Sequence, residues 1–228
     1  STGSIGKSTI DIIYKNKNNF DVVLLTTNNN YNEILNQIKK LNPKNIIINN
    51  NENFLKLKKK FLKRKINIFN SFKNFDHRFN KKIDFTMSAI SGLEGLKPTL
   101  DIIKYSKTIA IANKESIICG WQFIDKALRK NKTNFIPIDS EHFSIWTLLK
   151  NQNKENIKRI YLTASGGPFL NKTLSKIKKA KPLDALKHPK WKMGKKISID
   201  SSTMMNKILE LIEAQKLFNI PIQKLDIL

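Results

Sequence analysis

Two carboxylates separated by a single hydroxyl residue follow a short apolar run at residues 136–138. They are Asp139 and Glu141, with Ser140 between them. If the segment is extended at the end of a strand, both carboxylates project to the same side. Two hard oxygen donors placed together suit a divalent cation such as Mg²⁺ or Mn²⁺. The alternative is that Asp139 or Ser140 only caps a helix beginning near Glu141.

A third carboxylate stands on a helix predicted further along the chain. Asn206 and Glu210 are spaced i and i+4, so they share one face of that helix, and Lys207 lies beside them in sequence. Glu210 would supply the third oxygen ligand that the pair at 139 and 141 lacks. The alternative is an exposed helix glutamate, which is what we expect Glu213 to be.

Three other segments place small or basic residues where a ligand could bind. The turn at residues 1–6 precedes a predicted helix, and its short side chains would let backbone N–H groups approach a phosphate. Ser165 and two glycines follow a predicted strand and predict either an anion-binding nest or a tight turn. Lys114 follows another predicted strand, where it contacts a substrate oxygen or simply begins a solvated helix.

The stretch 186–196 has no helix or strand period. It combines His188, Trp191 and Met193 with several lysines around one proline and one glycine. An ordinary surface loop seldom exposes a tryptophan and a methionine together. We therefore predict a mobile lid over an anionic ligand.

Short apolar runs alternate with helical patterns along the chain. Strands are predicted at 22–25, 45–48, 66–69, 83–87, 108–112, 135–138, 160–163 and 197–200. Helices are predicted at 31–41, 53–62, near 71–79, from 98 to 103, from after the segment 113–116 to about 128, from about 141 to 149, and from 201 to 214. Such alternation indicates parallel strands joined by crossover helices, with a dinucleotide bound at a phosphate-binding turn. A strand is expected before that turn, so the chain is expected to be truncated at its N-terminus.

Composition narrows the class of protein. The chain has 228 residues, enough for one large or two small domains, and a formal charge of +24. That charge keeps open a second interpretation, a basic nucleic-acid-binding protein. Against it, the excess is lysine dispersed over amphipathic helices, apart from the run at 56–65, without interleaved aromatics.

Membrane and secretion signals are missing from the sequence that is given. It contains neither an apolar run long enough to span a bilayer nor a signal-peptide pattern at its start. The single cysteine, Cys119, fits a reducing compartment, and its apolar neighbours predict a buried, inert thiol.

Several motifs occur in order and together carry a resemblance. They read STGSIG at 1–6, ANKES at 112–116, PIDSEH at 137–142, SGGPF at 165–169, HPKWKMGKKI at 188–197 and DSSTMMNK at 200–207, followed by Leu209 and Glu210. Over essentially its whole length the chain resembles the 1-deoxy-D-xylulose 5-phosphate reductoisomerase family.

The resemblance implies an α/β fold with two domains. Residues 1–125 would form a Rossmann-like NADPH-binding domain, and residues 126–228 an α/β catalytic domain incomplete at its C-terminus. A C-terminal helical domain of the family would be absent from this chain. The family converts 1-deoxy-D-xylulose 5-phosphate to 2-C-methyl-D-erythritol 4-phosphate by isomerisation and reduction, using NADPH and a divalent cation (Mg²⁺ or Mn²⁺, with Co²⁺ as a further option). This step belongs to non-mevalonate isoprenoid precursor biosynthesis.

The resemblance also implies a role for each matching residue. The metal ligands would be Asp139, Glu141 and Glu210, which with Lys114 would form the catalytic set. The substrate would be bound by Lys114, Ser140, Ser165, His188, Ser201, Asn206 and Lys207, with Trp191 and Met193 in a closing loop. The cofactor would be bound by Thr2, Gly3, Ser4, Ile5, Asn30, Asn113 and Glu115.

One segment departs from the family pattern. Where the family has a Gly-Lys-Asn type sequence that helps bind the extra phosphate of NADPH, this chain has Asn28, Asn29 and Asn30. The choice between NADPH and NADH therefore stays open. The implied partners are a sugar phosphate and a second copy in a homodimer, with neither nucleic acid nor membrane. The implied location is the cytoplasm, with a plastid-type organelle as the alternative.

Overall fold

Helices and parallel strands alternate in the computed structural model, which describes residues 1–75, 81–188 and 194–228. The strands are β1 (Leu24–Thr27), β2 (Asn45–Ile48), β3 (Asn67–Phe69), β4 (Ile83–Ser88), β5 (Ser106–Ile111), β6 (Asn134–Pro137), β7 (Ile160–Leu162) and β8 (Leu225–Ile227). The helices are α1 (Ser4–Lys15), α2 (Tyr31–Leu41), α3 (Asn51–Lys60), α4 (Leu96–Ile103), α5 (Lys114–Asn131), α6 (Ser140–Leu148), α7 (Leu174–Lys178), α8 (Pro182–Ala185), α9 (Lys195–Ser202) and α10 (Met205–Phe218).

The chain forms two compact units. The first contains residues 1–113 and 122–136, and the second contains residues 114–121 and 137–228. Helix α5 contributes to both, since its first two turns belong to the second unit and the rest belongs to the first. The domain boundary predicted at 125/126 falls within this helix.

The first unit contains two three-stranded sheets, ordered β1-β2-β3 and β4-β5-β6. Pairing is parallel from β1 to β2, from β2 to β3 and from β4 to β5. All four residues of β2 are buried, as expected of a central parallel strand covered on both faces. Helix α2 packs Ile34 and Ile38 into this core, and the side chain of Asn30 caps its first turn by accepting the N–H of Glu33.

A cavity of about 360 Å³ lies within the first unit. It is lined mainly by apolar residues of α1, β1 and β4, among them Ile10, Leu25 and Met87. Strands β1 and β4 are each the first strand of their sheet. The edges of the two sheets therefore contribute to one apolar space.

The second unit is built around the parallel pair β7 and β8. Ile145 of α6, Leu162 of β7, Leu225 of β8 and Ala214 with Phe218 of α10 form its buried apolar cluster. Packing α6 and α10 against the same cluster brings the residues at the start of α6 close to the middle of α10.

The strand predicted at 197–200 is wrong, because these residues lie in helix α9. The alternation of Ile197 and Ile199 with polar residues resembled a strand with an apolar face. In the structure Ser198 is buried and donates its Oγ–H to the carbonyl of Gly194, at 3.1 Å, whereas Ile199 is 44% exposed. A polar side chain that hydrogen-bonds to the backbone of its own helix can be buried. The polar Ser198 is therefore buried and the apolar Ile199 is exposed, which is the reverse of what a strand with an apolar buried face would show.

The prediction that Cys119 is buried is also wrong, since this cysteine is exposed. Ile117 of the same helix is fully buried. Two residues further along an α-helix, a side chain points away from the face that carries the first. Cys119 therefore points outward despite its apolar sequence neighbours.

Parts of two sequence predictions lie outside the described residues. The helix predicted near 71–79 is described only as a short 3₁₀ turn at Phe72–Phe75. Trp191 and Met193, predicted to belong to a closing loop, lie in the range 189–193 and are outside the described part of the chain. Among the helices that the structure does describe, none has both the length and the apolar character needed to cross a bilayer.

Candidate metal and substrate site

Asp139 stands directly before the first residue of helix α6, at the position of a helix cap. Its side chain accepts no capping hydrogen bond from the helix, so the structure does not support the plain capping alternative. Instead, Oδ2 of Asp139 lies 3.0 Å from Nζ of Lys114, and Oδ1 lies 3.3 Å from Nδ1 of His142. The carboxylate is directed into a cluster of charged side chains.

Three carboxylates converge as the sequence predicted. One oxygen from each of Asp139, Glu141 and Glu210 lies within 4.8 Å of the others. Helix α6 supplies Glu141, and Glu210 comes from the middle of α10, where it is only 2% exposed. Such spacing allows one cation to contact all three groups, and carboxylate oxygens are the ligands that Mg²⁺ and Mn²⁺ prefer.

Two lysines are paired with these carboxylates. Nζ of Lys114 lies 3.2 Å from Oε1 of Glu210 and donates to Oδ1 of Asn206 at 2.8 Å. Nζ of Lys207 lies 2.7 Å from Oε1 of Glu141 and 2.5 Å from Oε2 of Glu210, and it donates to the carbonyl of Thr163 at 2.5 Å.

The contacts within this cluster shift the pKa values of Lys114, Lys207 and Asp139 towards their charged forms. Burial acts to lower the pKa of Lys114, but Asp139 and Glu210 outweigh it and raise the pKa above the ordinary value. For Lys207, burial again lowers the pKa, and the contacts with Glu141 and Glu210 raise it overall. Burial acts to raise the pKa of Asp139, but hydrogen bonding and charge from His142 and Lys114 hold that pKa well below its ordinary range. Both lysines and Asp139 are therefore charged near neutral pH.

The formal charge of the site fits a divalent cation. Three carboxylates and two ammonium groups leave one net negative charge. A bound divalent cation would turn this into one net positive charge, which favours a phosphate. Oδ1 of Asp139 and Oε2 of Glu210 are buried and make no well-directed hydrogen bond among the described residues. Their partners in the structure are Lys207, whose Nζ lies 2.5 Å from Oε2 of Glu210, and His142, whose Nδ1 lies 3.3 Å from Oδ1 of Asp139. A bound cation would share these oxygens with them.

The predicted substrate residues share one open cavity of about 1230 Å³ with the three carboxylates. The lining includes Ser140, Ser165, His188, Ser201, Asn206 and Lys207. Lys114 reaches the same cluster through Asp139 and Glu210. The structure thus brings together, within the second unit, every residue predicted to bind the metal or the substrate.

The turn after β7 shapes one side of this cavity. Gly166 and Gly167 both have left-handed backbone conformations, with φ of 71° and 67°. A Cβ atom on Gly167 would lie 2.6 Å from the carbonyl oxygen of Ser201, so the turn packs directly against α9. The hydroxyl of Ser165 lies 3.0 Å from Nε2 of His188 and accepts the N–H of Gly167 at 3.3 Å. Both the nest and the tight-turn interpretations remain compatible with this geometry.

Sequence reasoning missed two residues behind the carboxylates. Glu213, expected to be exposed, is only 2% exposed, and burial raises its pKa to about 7, with Asp139 and Glu210 adding to the effect and His142 and Lys114 opposing it. His142 is fully buried between Asp139 and Glu213. The available signal was spacing, because each residue is three positions along a helix from a predicted ligand.

The residues predicted to bind a cofactor lie mostly in the first unit. Gly3 precedes helix α1 and has open space where a side chain would be, while a Cβ on Gly6 would come within 2.4 Å of Ser1. Thr2 shares a 2.9 Å hydrogen bond with Thr27 at the end of β1. Small residues here leave the start of α1 accessible, as a phosphate contact requires.

The remaining cofactor candidates differ in exposure and in their contacts. Ser4 and Ile5 form the first turn of α1 and are exposed. Asn113 is 3% exposed and donates its amide to the carbonyls of Ile90 and Gly92. Glu115 is in the second unit, where Nζ of Lys196 lies 2.7 Å from its Oε1.

Comparison with known sequences identifies the family. The profile of the 1-deoxy-D-xylulose 5-phosphate reductoisomerase family matches residues 1–120, and that of the C-terminal domain of the same enzyme matches residues 135–218. Enzymes of this name from Pelagibacter ubique (strain HTCC1062) and Clostridium novyi (strain NT) are 56% and 43% identical over the whole chain. The chain spans 59% and 60% of the length of these relatives.

Solved structures agree with the sequence matches. The reductoisomerase of Zymomonas mobilis in complex with NADPH superimposes with a TM-score of 0.86 at 38% identity, covering 99% of this chain and 58% of that one. A DOX-P reductoisomerase in complex with NADPH, fosmidomycin and magnesium also gives 0.86, at 33% identity, with the same coverage. The chain therefore belongs to the 1-deoxy-D-xylulose 5-phosphate reductoisomerase family.

Proposed function

We propose that the chain carries the cofactor-binding and the metal- and substrate-binding parts of a 1-deoxy-D-xylulose 5-phosphate reductoisomerase. The reaction is the isomerisation and reduction of 1-deoxy-D-xylulose 5-phosphate to 2-C-methyl-D-erythritol 4-phosphate, with NADPH and Mg²⁺ or Mn²⁺. Residues 1–125 form the cofactor domain in this proposal, and residues 126–228 belong to the catalytic domain.

The convergence of three carboxylates is the main observation that supports the proposal. Asp139 just before α6, Glu141 in α6 and Glu210 in α10 meet within 4.8 Å at the cavity that contains the predicted phosphate ligands. The family membership and the NADPH and magnesium complexes of the related structures support the same cofactors. A protein that binds nucleic acid only through its positive charge would not use a buried acidic cluster.

Each residue of the site has a role in this reaction. When bound, the cation would act as a Lewis acid towards the keto and hydroxyl oxygens of the substrate, and NADPH would supply hydride. Asp139, Glu141 and Glu210 hold the cation and offset its charge. Lys114, fixed by Asp139 and Glu210, donates a hydrogen bond to a substrate hydroxyl, as does Ser140.

The substrate phosphate is assigned to polar groups that line the same cavity. Lys207 supplies a point charge to the phosphate, while Ser165, Ser201 and Asn206 supply neutral donors from three different segments. His188 lies in hydrogen-bonding distance of Ser165 and orients its hydroxyl. Donors from separate elements select for the position of the phosphate as well as its charge.

The cofactor is assigned to the first unit. Thr2, Gly3, Ser4 and Ile5 hold its phosphates at the start of α1, with Asn30 near the ribose phosphate and Asn113 and Glu115 towards the nicotinamide. A homodimer and a cytoplasmic location, both implied by the resemblance, belong to this proposal.

The proposal is tested by replacing Asp139 with asparagine. Asp139→Asn removes one of the negative charges that bind the cation while keeping the side-chain shape. We expect Mn²⁺ affinity, measured by calorimetry on the 228-residue chain, to fall at least about tenfold, since metal affinity depends on ligand charge. In a polypeptide of the relatives' length that carries this chain, Mn²⁺-dependent oxidation of NADPH by the substrate should be lost.

Asp125→Asn is the matched control. Asp125 belongs to α5 and pairs with Arg129 outside the site, so the same chemical change should leave Mn²⁺ affinity and turnover unchanged. Wild-type turnover by the Asp139→Asn protein would disprove the metal assignment. Tight, salt-sensitive DNA binding by a wild-type chain that binds neither Mn²⁺ nor NADPH would instead favour the nucleic-acid interpretation.

A further inference from the structure

Behind the three carboxylates lies a second polar group that the reaction as described does not use. It consists of His142 on α6 and Glu213 on α10, which are 0% and 2% exposed. Neither residue lines the cavity that contains Asp139, Glu141 and Glu210. A ligand entering the cavity therefore meets Asp139 first, with His142 and Glu213 on its far side.

The imidazole ring of His142 contacts a backbone carbonyl through one nitrogen and an aromatic ring through its face. Nε2 lies 2.9 Å from the backbone carbonyl of Glu210, and the ring stacks on Phe218, with centroids 6.3 Å apart and an interplanar angle of 19°. Because a carbonyl oxygen only accepts, Nε2 must carry the hydrogen of its bond. The other ring nitrogen, Nδ1, is then left to face the two carboxylates.

The contacts of Nδ1 link His142 to a metal ligand. Nδ1 lies 3.3 Å from Oδ1 of Asp139 and 3.6 Å from Oε2 of Glu213. All three atoms are buried, and none of them makes a well-directed hydrogen bond among the described residues, so the two contacts of Nδ1 are close ionic contacts. A proton on Nδ1 places a positively charged imidazolium beside both carboxylates, whereas a bare nitrogen would leave three buried acceptors facing each other.

We propose that His142, supported by Glu213, is a positioning residue that fixes Asp139 relative to Glu210 and so shapes the cation site. One ring contacts the carboxylate of Asp139 through Nδ1 and the main chain of Glu210 through Nε2, so it spaces one ligand just before α6 from another within α10. Glu213 holds the ring in this orientation. The inference rests on the proposed metal site at Asp139, Glu141 and Glu210.

The direction of the change in cation affinity distinguishes a positioning role of His142 from an effect of its positive charge alone. His142→Phe keeps an aromatic ring against Phe218 and removes both polar contacts. If His142 acted only as a nearby positive charge, removing it would strengthen the binding of a cation. If it positions Asp139, removing it weakens binding, and loss of a residue that orients a metal ligand typically costs about 10-fold to 100-fold in affinity.

The experiment measures Mn²⁺ binding by calorimetry on the folded 228-residue chain. We expect one ion per chain and an affinity at least about tenfold weaker for His142→Phe. His142→Gln can still donate to the Glu210 carbonyl but lacks the contact with Asp139, so it should also bind Mn²⁺ more weakly. This second variant decides the outcome if His142→Phe does not fold. Lys216→Gln, on the exposed face of α10, is the control and should bind as the wild type does.

A double variant tests the role of Glu213. Glu213→Gln should weaken Mn²⁺ binding in the wild-type background and have little further effect when combined with His142→Phe, because Glu213 acts through the ring. Circular dichroism at the temperature of the titration confirms that each variant is folded, which separates affinity from stability.

Three results would overturn the inference. Unchanged or tighter Mn²⁺ binding by the His142 variants would show that the ring does not position Asp139. Two ions per chain would assign Asp139, His142 and Glu213 to a metal site of their own. Failure of the wild-type chain to bind Mn²⁺ would reject the proposed function, and this inference with it, whereas normal wild-type binding with unaffected variants rejects the inference alone.

Discussion

The central feature at the scale of single residues is competition between positive groups for the same oxygens. Lys207 contacts Glu141 and Glu210, and Lys114 contacts Asp139 and Glu210. A cation that binds all three carboxylates must share these oxygens with the two ammonium groups. The lysines thus stabilise the acidic cluster without a metal and oppose the metal when it binds.

This competition predicts the effect of Lys207→Met. Removing the ammonium group frees oxygens of Glu141 and Glu210 and removes a repulsive charge, so Mn²⁺ should bind about tenfold more tightly. The same change should weaken binding of the substrate phosphate, because Lys207 is its proposed charged ligand. Calorimetric titration with Mn²⁺, and then with substrate at saturating Mn²⁺, measures both effects.

Lys216→Met is the matched control for this prediction. It removes a lysine from the exposed side of the same helix and should change neither affinity. Weaker Mn²⁺ binding by Lys207→Met would contradict the competition and would mean that Lys207 holds the carboxylates in place. The opposite signs expected for Lys207 and His142 follow from their positions, since Lys207 lines the cavity and His142 does not.

At the scale of elements, an ion-pair bridge joins the start of α5 to α9. Nζ of Lys196 lies 2.7 Å from Oε1 of Glu115 and 2.8 Å from Oδ2 of Asp200. Partial burial acts to raise the pKa of Glu115, but hydrogen bonding and charge from Lys196 lower it overall. The bridge therefore stabilises the folded state when Glu115 is ionised.

The bridge predicts a pH-dependent effect of Glu115→Gln. A carboxyl group with a lowered pKa in the folded state contributes stability above its unfolded pKa of 4.5 and loses that contribution as the pH falls below it. Because Lys196 is largely exposed, the variant should lose less than about 1 kcal/mol of unfolding free energy at neutral pH. The loss should shrink steadily as the pH falls below 4.5, as measured by denaturant unfolding across pH.

A glutamate elsewhere serves as the reference for this measurement. Glu94→Gln, at an exposed position of the first unit, should show no such difference between neutral and acidic pH. If Glu115→Gln lost the same stability at both pH values, packing of the side chain rather than its charge would account for the effect.

At the scale of the whole molecule, the two compact units separate the proposed ligands. The predicted metal and substrate residues all belong to residues 114–121 and 137–228, and most of the cofactor residues belong to residues 1–113. Ligand binding stabilises the structure to which the ligand is bound. Each ligand should therefore protect a different part of the chain.

Hydrogen exchange tests this separation. Mn²⁺ should slow exchange of backbone amides around 139–142 and 206–213, and NADPH should slow exchange around 1–6 and 28–30. The ligands are added one at a time and exchange is followed by mass spectrometry. Protection of 1–6 by Mn²⁺ alone, or an NADPH effect confined to the second unit, would contradict the assignment.

Several features of the fold were predictable from the sequence because they depend on neighbouring residues. The run at 45–48 is a fully buried strand and 31–41 is a helix, as predicted. The strand prediction at 197–200 was wrong because the residues that are buried there are not the ones that the alternation of apolar and polar residues indicates. Ile197 and Ile199 resembled a strand, but the structure buries Ser198 within α9 instead.

The sequence by itself determined which residues could bind a cation and a phosphate, since residue type and motif order already single out Asp139, Glu141, Glu210 and Lys207. Only the tertiary structure decided that these groups meet and that His142 and Glu213 stand behind them. The physical reason is distance along the chain. Helices α6 and α10 are brought together by a shared apolar cluster, and the burial of a charged residue there depends on that packing rather than on its sequence neighbours.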